Sequence, residues 1–440
     1  MALNFPPAWH PWVQQVQAHV YSQPLRAIEA ARELLKVCQD EEHLAYVYEQ
    51  LGFAHLLLGE HRLACVMYEQ ARTLQPENMY VLANMAHALY ELGEHERAVQ
   101  LGRQALQIKD QSACEAASSQ TLGLQPAHHG PQNLVSFSLF GQQARYCEMA
   151  VLNVLAARRH LPDFVCRFHT DASVPPALLA RLQALGAQCV DMGAQGQQIL
   201  PTMWRFLAMD EPGADCVLVR DVDALIDARE AAAVQAWRAS GLPFHIIRDD
   251  CCHTELILAG LFGIRSGVLR DMGQRIARYL QAAGPAARER YADQLFLRHA
   301  VWPSVREHAL THDRVYNYGT HVQPLVHAPA AGQGPRNAFI GANHATGCVQ
   351  CELDQAVSPQ ALLCMTLHTR SGALVCRYPM QPVASAGQPG LAWDIHLPQL
   401  YAQALQDGRW QHSMAVHPAD QAGIGEGSND PILLGMAEPV

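Results

Sequence analysis

The sequence predicts a multidomain chain: an all-α helical repeat, then an α/β domain on a mostly parallel sheet, then a small β-containing appendage. Three observations carry this. The tetrapeptide Leu58-Gly59-Glu60-His61 returns as Leu92-Gly93-Glu94-His95, an offset of 34 residues. From Leu134 onward, short apolar runs suited to strands alternate with helical periodicity. From about residue 346, β-like runs over 361–369 and 373–378 return in a Gly-, Pro- and Asp-rich stretch. The boundaries expected are 1–125 for the repeat and linker, 126–345 for the α/β domain and 346–440 for the appendage.

A chain of 440 residues with 49% hydrophobic and 16% charged residues has the composition of a core-forming protein with room for two or three domains. Its net charge of −10, with no basic stripe, argues against a nucleic-acid partner, because phosphate neutralisation needs clustered Lys and Arg. Residues 1–12 contain no Lys or Arg and no long apolar run, which is not the pattern of a secretory signal. No apolar run approaches the ~18 residues of a membrane span. The 13 cysteines are odd in number and follow no disulfide framework, so a reducing, cytoplasmic setting is expected.

In the first segment, small residues recur in matched slots: Ala64 with Ala98, and Ala71 with Ala105. They let paired helices approach closely, while Gly59 and Gly93 suit the turn between them. Residues 25–35 read as an earlier, degenerate copy. The stretch over about 11–112 resembles the tetratricopeptide family, which implies stacked helix pairs whose concave face docks a protein partner. The alternative is a helical lid that only packs on the next domain. Residues 111–132 lose periodicity and collect Ser, Gly and Pro, the composition of a linker.

Strands are then expected over 134–140, 164–168, 188–192 and 216–219, separated by helices over 146–158 and 175–185 and a short one over 203–210. The run Cys216-Val217-Leu218-Val219 ends in Arg220-Asp221-Val222-Asp223. Alternation along a strand turns Asp221 and Asp223 to one side, giving hard oxygen ligands for Mg²⁺ or Mn²⁺ at a sheet's carboxyl end. Asp227-x-x-Glu230 then forms a capping box opening a helix that Gly241 ends. A strand over 244–250 also finishes in charge, Arg248-Asp249-Asp250. Near the end, Cys348-x-x-Cys351 with Cys364 and Cys376 is a weak zinc pattern.

The middle segment, about 134–345, resembles nucleotide-sugar glycosyltransferases of the GT-A type. The resemblance rests on an ordered set: Trp204-Arg205-Phe206, then Arg220-Asp221-Val222-Asp223, then Phe244-His245-Ile246-Ile247-Arg248-Asp249. His253, Ala259-Gly260-Leu261-Phe262-Gly263, Asp293-Gln294 and His312-Asp313 follow. It implies a nucleotide-sugar donor, a protein or glycan acceptor, and Mn²⁺ or Mg²⁺ as cofactor. By the same resemblance, Asp221, Asp223 and His312 would be metal ligands. Trp204, Arg205, Arg220, Asp221, Gly260 and Gly263 would contact the donor, and Asp249 or Asp293 would be the base that takes the acceptor's proton. His245 and His253 would meet phosphate or sugar hydroxyls. Each of these has a structural alternative as a salt bridge, cap or packing residue. A haloacid-dehalogenase-type phosphoryl transferase is disfavoured, since Ala224-Leu225 follow the second Asp where that family has Gly-Thr or Gly-Val. A helical scaffold carrying an inactive transferase-like domain is the other alternative.

Overall fold

The computed structural model describes residues 3–116, 123–193, 195–284, 291–325, 339–352, 363–380, 392–416 and 423–436. Six helices come first: α1 (His10–His19), α2 (Pro24–Val37), α3 (Glu41–Leu57), α4 (His61–Leu74), α5 (Met79–Glu91) and α6 (His95–Ala116). Two are started by side-chain caps. The carboxylate of Asp40 accepts from His43 N, and the amide oxygen of Asn78 accepts from Tyr80 N and Val81 N. Gly59 and Gly93 take φ of +72° and +83° in the turns of the two matched pairs, where an L side chain would be strained. Ala64, Ala71, Ala98 and Ala105 are buried in one shared core, so the helical region fits the tetratricopeptide pattern.

The helix α6 does more than complete the repeat. Leu106 and Ala113 enter the core of the following domain. Gly102 lies against the ring of Tyr316, so that an added Cβ would sit 2.1 Å from its Cε1. Buried Lys109 donates to Glu255 Oε1 at 2.6 Å and to Thr254 O at 2.8 Å. Asp110 accepts from Trp302 Nε1 and Tyr318 OH. This second interface explains why residues 111–116 read as linker yet are helical: their face is shaped for another domain, and the repeat periodicity lapses. Farther on, Gln125 N and His128 N donate to Val268 O and Ser266 O, so 123–131 runs along the next domain.

That domain holds β1 (Gln132–Leu139), α7 (Ala144–His160), β2 (Phe164–Thr170), α8 (Pro176–Ala184), β3 (Gln188–Asp191), a 3₁₀ segment (Pro201–Asp210), β4 (Ala214–Arg220), α9 (Ala228–Ser240), β5 (Phe244–Arg248) and β6 (Leu261–Arg265). It continues through α10 (Met272–Ala283), α11 (Ala292–Phe296), a π turn (Leu297–Val301), α12 (Trp302–Val305), β7 (Ala309–Asp313) and β8 (His321–Gln323). Eight strands form one sheet in the order β3-β2-β1-β4-β6-β5-β7-β8, parallel except for β6. No crossover helix separates β5 from β6, so the chain turns back and β6 pairs antiparallel with both neighbours.

Side chains alternate across this sheet between two cores. Cys216 and Leu218 of β4 face the core of α7, α8 and α9, and Val217 and Val219 face that of the 3₁₀ segment, α10 and α6. The remaining elements are β9 (Gly347–Glu352), β10 (Leu363–Thr369), β11 (Leu374–Met380), β12 (Ala392–Leu397), α13 (Gln399–Gln406) and β13 (Trp410–Val416). They share the α7-side core, centred on fully buried Glu148. Its carboxylate takes Arg181 at 2.6 and 3.1 Å, Tyr378 OH at 2.7 Å and Tyr401 OH at 2.9 Å. Cys364 and Cys376 are buried here while Cys348 is exposed, and the side chain of Cys351 is not among those described. No described helix is long and apolar enough to cross a membrane.

Candidate functional site

From β1 the sheet grows outward in one direction through β2 and β3, and in the other through β4. The carboxyl ends of β1 and β4 therefore flank a topological switch point, where open α/β sheets bind ligands. Asp221 and Asp223 lie there. The strand stops at Arg220, and 221–224 form a turn closed by Ala224 N donating to Asp221 O. A turn, rather than continued strand alternation, leaves the two carboxylates within electrostatic reach of each other, while Val222 packs back on the α7-side core.

Parity still decides what Asp221 meets. It follows Val217 and Val219 onto the face of the 3₁₀ segment, where Arg205 Nη1 is 2.6 Å from Asp221 Oδ1. Arg205 Nη2 donates to Asp293 Oδ2 at 2.9 Å, so one guanidinium joins two carboxylates. The segment is pinned to β1: Arg205 N donates to Ser138 Oγ, and Ser136 Oγ donates to Arg205 O. Buried Arg205 Nε has no hydrogen-bond partner among the described residues. Gly260 presses on Asp221 so closely that a Cβ would fall 2.0 Å from Oδ2. Gln294 holds the loop leading there, its amide oxygen accepting from Ala259 N at 3.0 Å.

Asp223 makes no ion pair among the described residues. Burial first, and the charge of Asp221 second, push its carboxyl up to about 6 from 3.8. Asp293 is also raised, mainly by burial. A strap of 339–345 crosses this edge: Ile340 N donates to Asp249 Oδ2, His344 N donates to Asp223 O, and Asn343 bridges Ala224.

The other sequence-predicted residues lie elsewhere. Arg220 is buried and committed to Glu230 Oε1 at 2.5 Å and to Val219 O and Phe262 O at 2.7 Å. Glu230 therefore holds the strand end, while Asp227 alone caps α9. Asp249 is fully buried between Arg229 at 2.6 Å and Arg314 at 2.8 Å. His312 pairs with His245 in the core, Nδ1 to Nε2 at 2.7 Å, and burial holds His312 near 4. The His245 ring stacks on Trp237. His253 accepts from Asp249 N, and Trp204 donates its indole N–H to Ile199 O. Gly263 faces the Trp237 ring and Leu218. Ser136 and Ser138 carry no motif in the sequence, and strand parity placed them; Phe339-Ile340-Gly341 of the strap punctuates the sequence, but nothing local shows that it crosses this edge.

No family model matches this chain, and no curated protein matches it. Among solved structures, a mutant O-GlcNAc transferase from Thermobaculum terrenum is similar over 42% of this chain and 42% of its own, at 14% identity and a TM-score of 0.26. The chain thus spans less than half the length of that structure, and a superposition this loose carries neither fold nor activity across.

Proposed function

We propose that this chain transfers a sugar from a nucleotide-diphosphate donor to a protein or glycan acceptor, using Mn²⁺ or Mg²⁺ held by Asp221 and Asp223. The observation that carries the reading is a partly open group of three carboxylates at the sheet's switch point: Asp221 and Asp293 share the guanidinium of Arg205, and Asp223 lies within electrostatic reach of Asp221 with no ion pair among the described residues. The donor set fits a hard divalent cation: two neighbouring carboxylates, one of them without an ion-pair partner among the described residues. When bound, such a cation acts as a Lewis acid that offsets the charge of the departing diphosphate.

The chain's own residues supply the rest. Arg205, anchored on β1, sets the position of Asp221. Gly260 leaves that carboxylate the room it occupies. Asp293, whose raised pKa strengthens it as a base, is the group for accepting the acceptor's hydroxyl proton. Asp249 is already saturated by two arginines and a backbone N–H, which favours Asp293 of the two candidates.

One observation favours an inactive scaffold instead: Arg205 already pairs with Asp221. Nucleotide-sugar hydrolysis with Mn²⁺, on wild type and Asp223→Ala, separates the two. Metal-dependent turnover lost in the variant supports transfer, and no turnover across a panel of nucleotide sugars supports the scaffold. Since α6 lies in the core of the α/β domain, a truncation that asks whether the repeat recruits a protein acceptor must keep α5 and α6 and remove residues 1–74. Small-acceptor activity survives that truncation if the repeat serves docking.

A further inference from the structure

A second group of ligating side chains lies at the seam between the helical repeat and the α/β domain. His87 and Glu91 are four residues apart on α5 and so share one face of that helix. Cys251 comes from the other domain, in the loop between β5 and β6. One ligand atom from each of the three lies within 4.8 Å of the others, and they are the one such trio of His, Cys, Asp or Glu among the described residues. Cys251 is buried, His87 half-buried and Glu91 exposed, so the trio opens to solvent on the helix side.

The surroundings hold Cys251 in place. Tyr316 OH donates to Cys251 O, and Asp250 Oδ1 accepts from Cys252 N at 3.0 Å and from Cys251 Sγ at 3.4 Å. Asp250 and Glu91 act electrostatically on His87 in one sense and His61 in the other. Arg314 is 3.9 Å from Asp250 but donates its short hydrogen bonds to Asp249.

We propose that His87, Glu91 and Cys251 form a zinc site that staples the repeat to the loop running from Asp249 to Gly260. One thiolate, one imidazole and one carboxylate make the ligand set of a borderline-soft ion; Mg²⁺ and Ca²⁺ prefer oxygen alone. Three protein ligands leave the fourth tetrahedral position to water. The site is separate from the Asp221–Asp223 pair and stands whether or not the transferase reading does.

The test uses the full chain, stripped of metal and titrated with ZnCl₂ or CoCl₂ in excess MgCl₂. One equivalent of Co²⁺ is expected to give tetrahedral visible bands and a thiolate charge-transfer band. Cys251→Ser removes the charge-transfer band, and Asp223→Ala keeps it. Because Glu91 is exposed, Glu91→Gln probes the site without disturbing the seam. Its Zn²⁺ affinity is expected to fall by on the order of tenfold or more, since even the outer partners of metal ligands are worth that much. A wild type with no charge-transfer band, a Cys251→Ser variant that retains it, or an unchanged Glu91→Gln affinity each overturns the assignment.

Discussion

Two strands of the same sheet run out into the same dipeptide, Arg220-Asp221 at the end of β4 and Arg248-Asp249 at the end of β5, and the aspartates just past each strand meet opposite fates. Both arginines are buried and serve backbone carbonyls. Arg220 caps Val219 O and Phe262 O, and Arg248 caps Glu255 O, Leu256 O and Tyr318 O. The aspartates differ in face. Asp249 emerges toward α9, where Arg229 waits, and Arg314 closes it from the other side. Asp221 emerges toward the 3₁₀ segment, shares its arginine with Asp293, and keeps 47% of its side chain exposed. One end has two guanidiniums bonded to one carboxylate; at the other, one guanidinium bonds two carboxylates, and a third, Asp223, feels Arg205 and Arg145 only at a distance. Surplus cation makes a joint, whereas surplus carboxylate leaves unmet charge for a ligand to satisfy.

The contrast sharpens under mutation. Asp249→Ala removes the buried carboxylate that two half-buried arginines and the Ile340 N–H share, and should cost about 2–4 kcal/mol. Urea unfolding reads it, and a midpoint equal to wild type would break the contrast. Asp223→Asn should lower metal-dependent turnover on the order of a hundredfold or more yet stabilise the metal-free fold near pH 7.5 by about 1–2 kcal/mol. The sign follows from its carboxyl standing near 6, above the unfolded 3.8. The folded state holds a proton that the unfolded state releases, so stability falls as pH rises through that window. The variant lacks this fall, and paired melting curves from pH 4 to pH 7 should diverge upward.

Smaller effects separate the two neighbouring glycines. An added Cβ at Gly260 meets the Asp221 carboxylate, while at Gly263 it meets Trp237 and Leu218 at 2.9–3.0 Å. Both alanine variants should lose about 1–3 kcal/mol from overpacking, but only Gly260→Ala should also weaken Mn²⁺ binding in titration calorimetry. Equal metal affinity in both would remove Gly260 from the site. The smallest expected effect comes from two buried imidazoles, one on β2 and one in the loop after β5. Burial depresses His169 and His253 to about 4, below the ordinary 6.5. Each therefore contributes stability that is full above 6.5 and is lost as pH falls toward 4, about 1 kcal/mol apiece by pH 5.5. His253→Gln should flatten that part of the acid-unfolding curve.

Local signals in the chain were sufficient for much of this architecture. The 34-residue echo, the turn glycines, the Asp227 cap and Gly241 at the end of α9 all depend on contacts within a few residues. So did the alternation of strands and helices, and the presence of two acids at the end of β4. Tertiary structure alone decided which of two identical Arg-Asp ends stayed open, because each aspartate's fate depends on a guanidinium delivered by another element. Arg205 and Asp293 lie 88 residues apart, and His245 and His312 lie 67 apart. The return of β6, the passage of α6 into a second core and the meeting of His87 with Cys251 are of the same kind. Periodicity records that a face is buried, but what covers it is set by the packing of elements distant in the chain, and a charge's role depends on that cover.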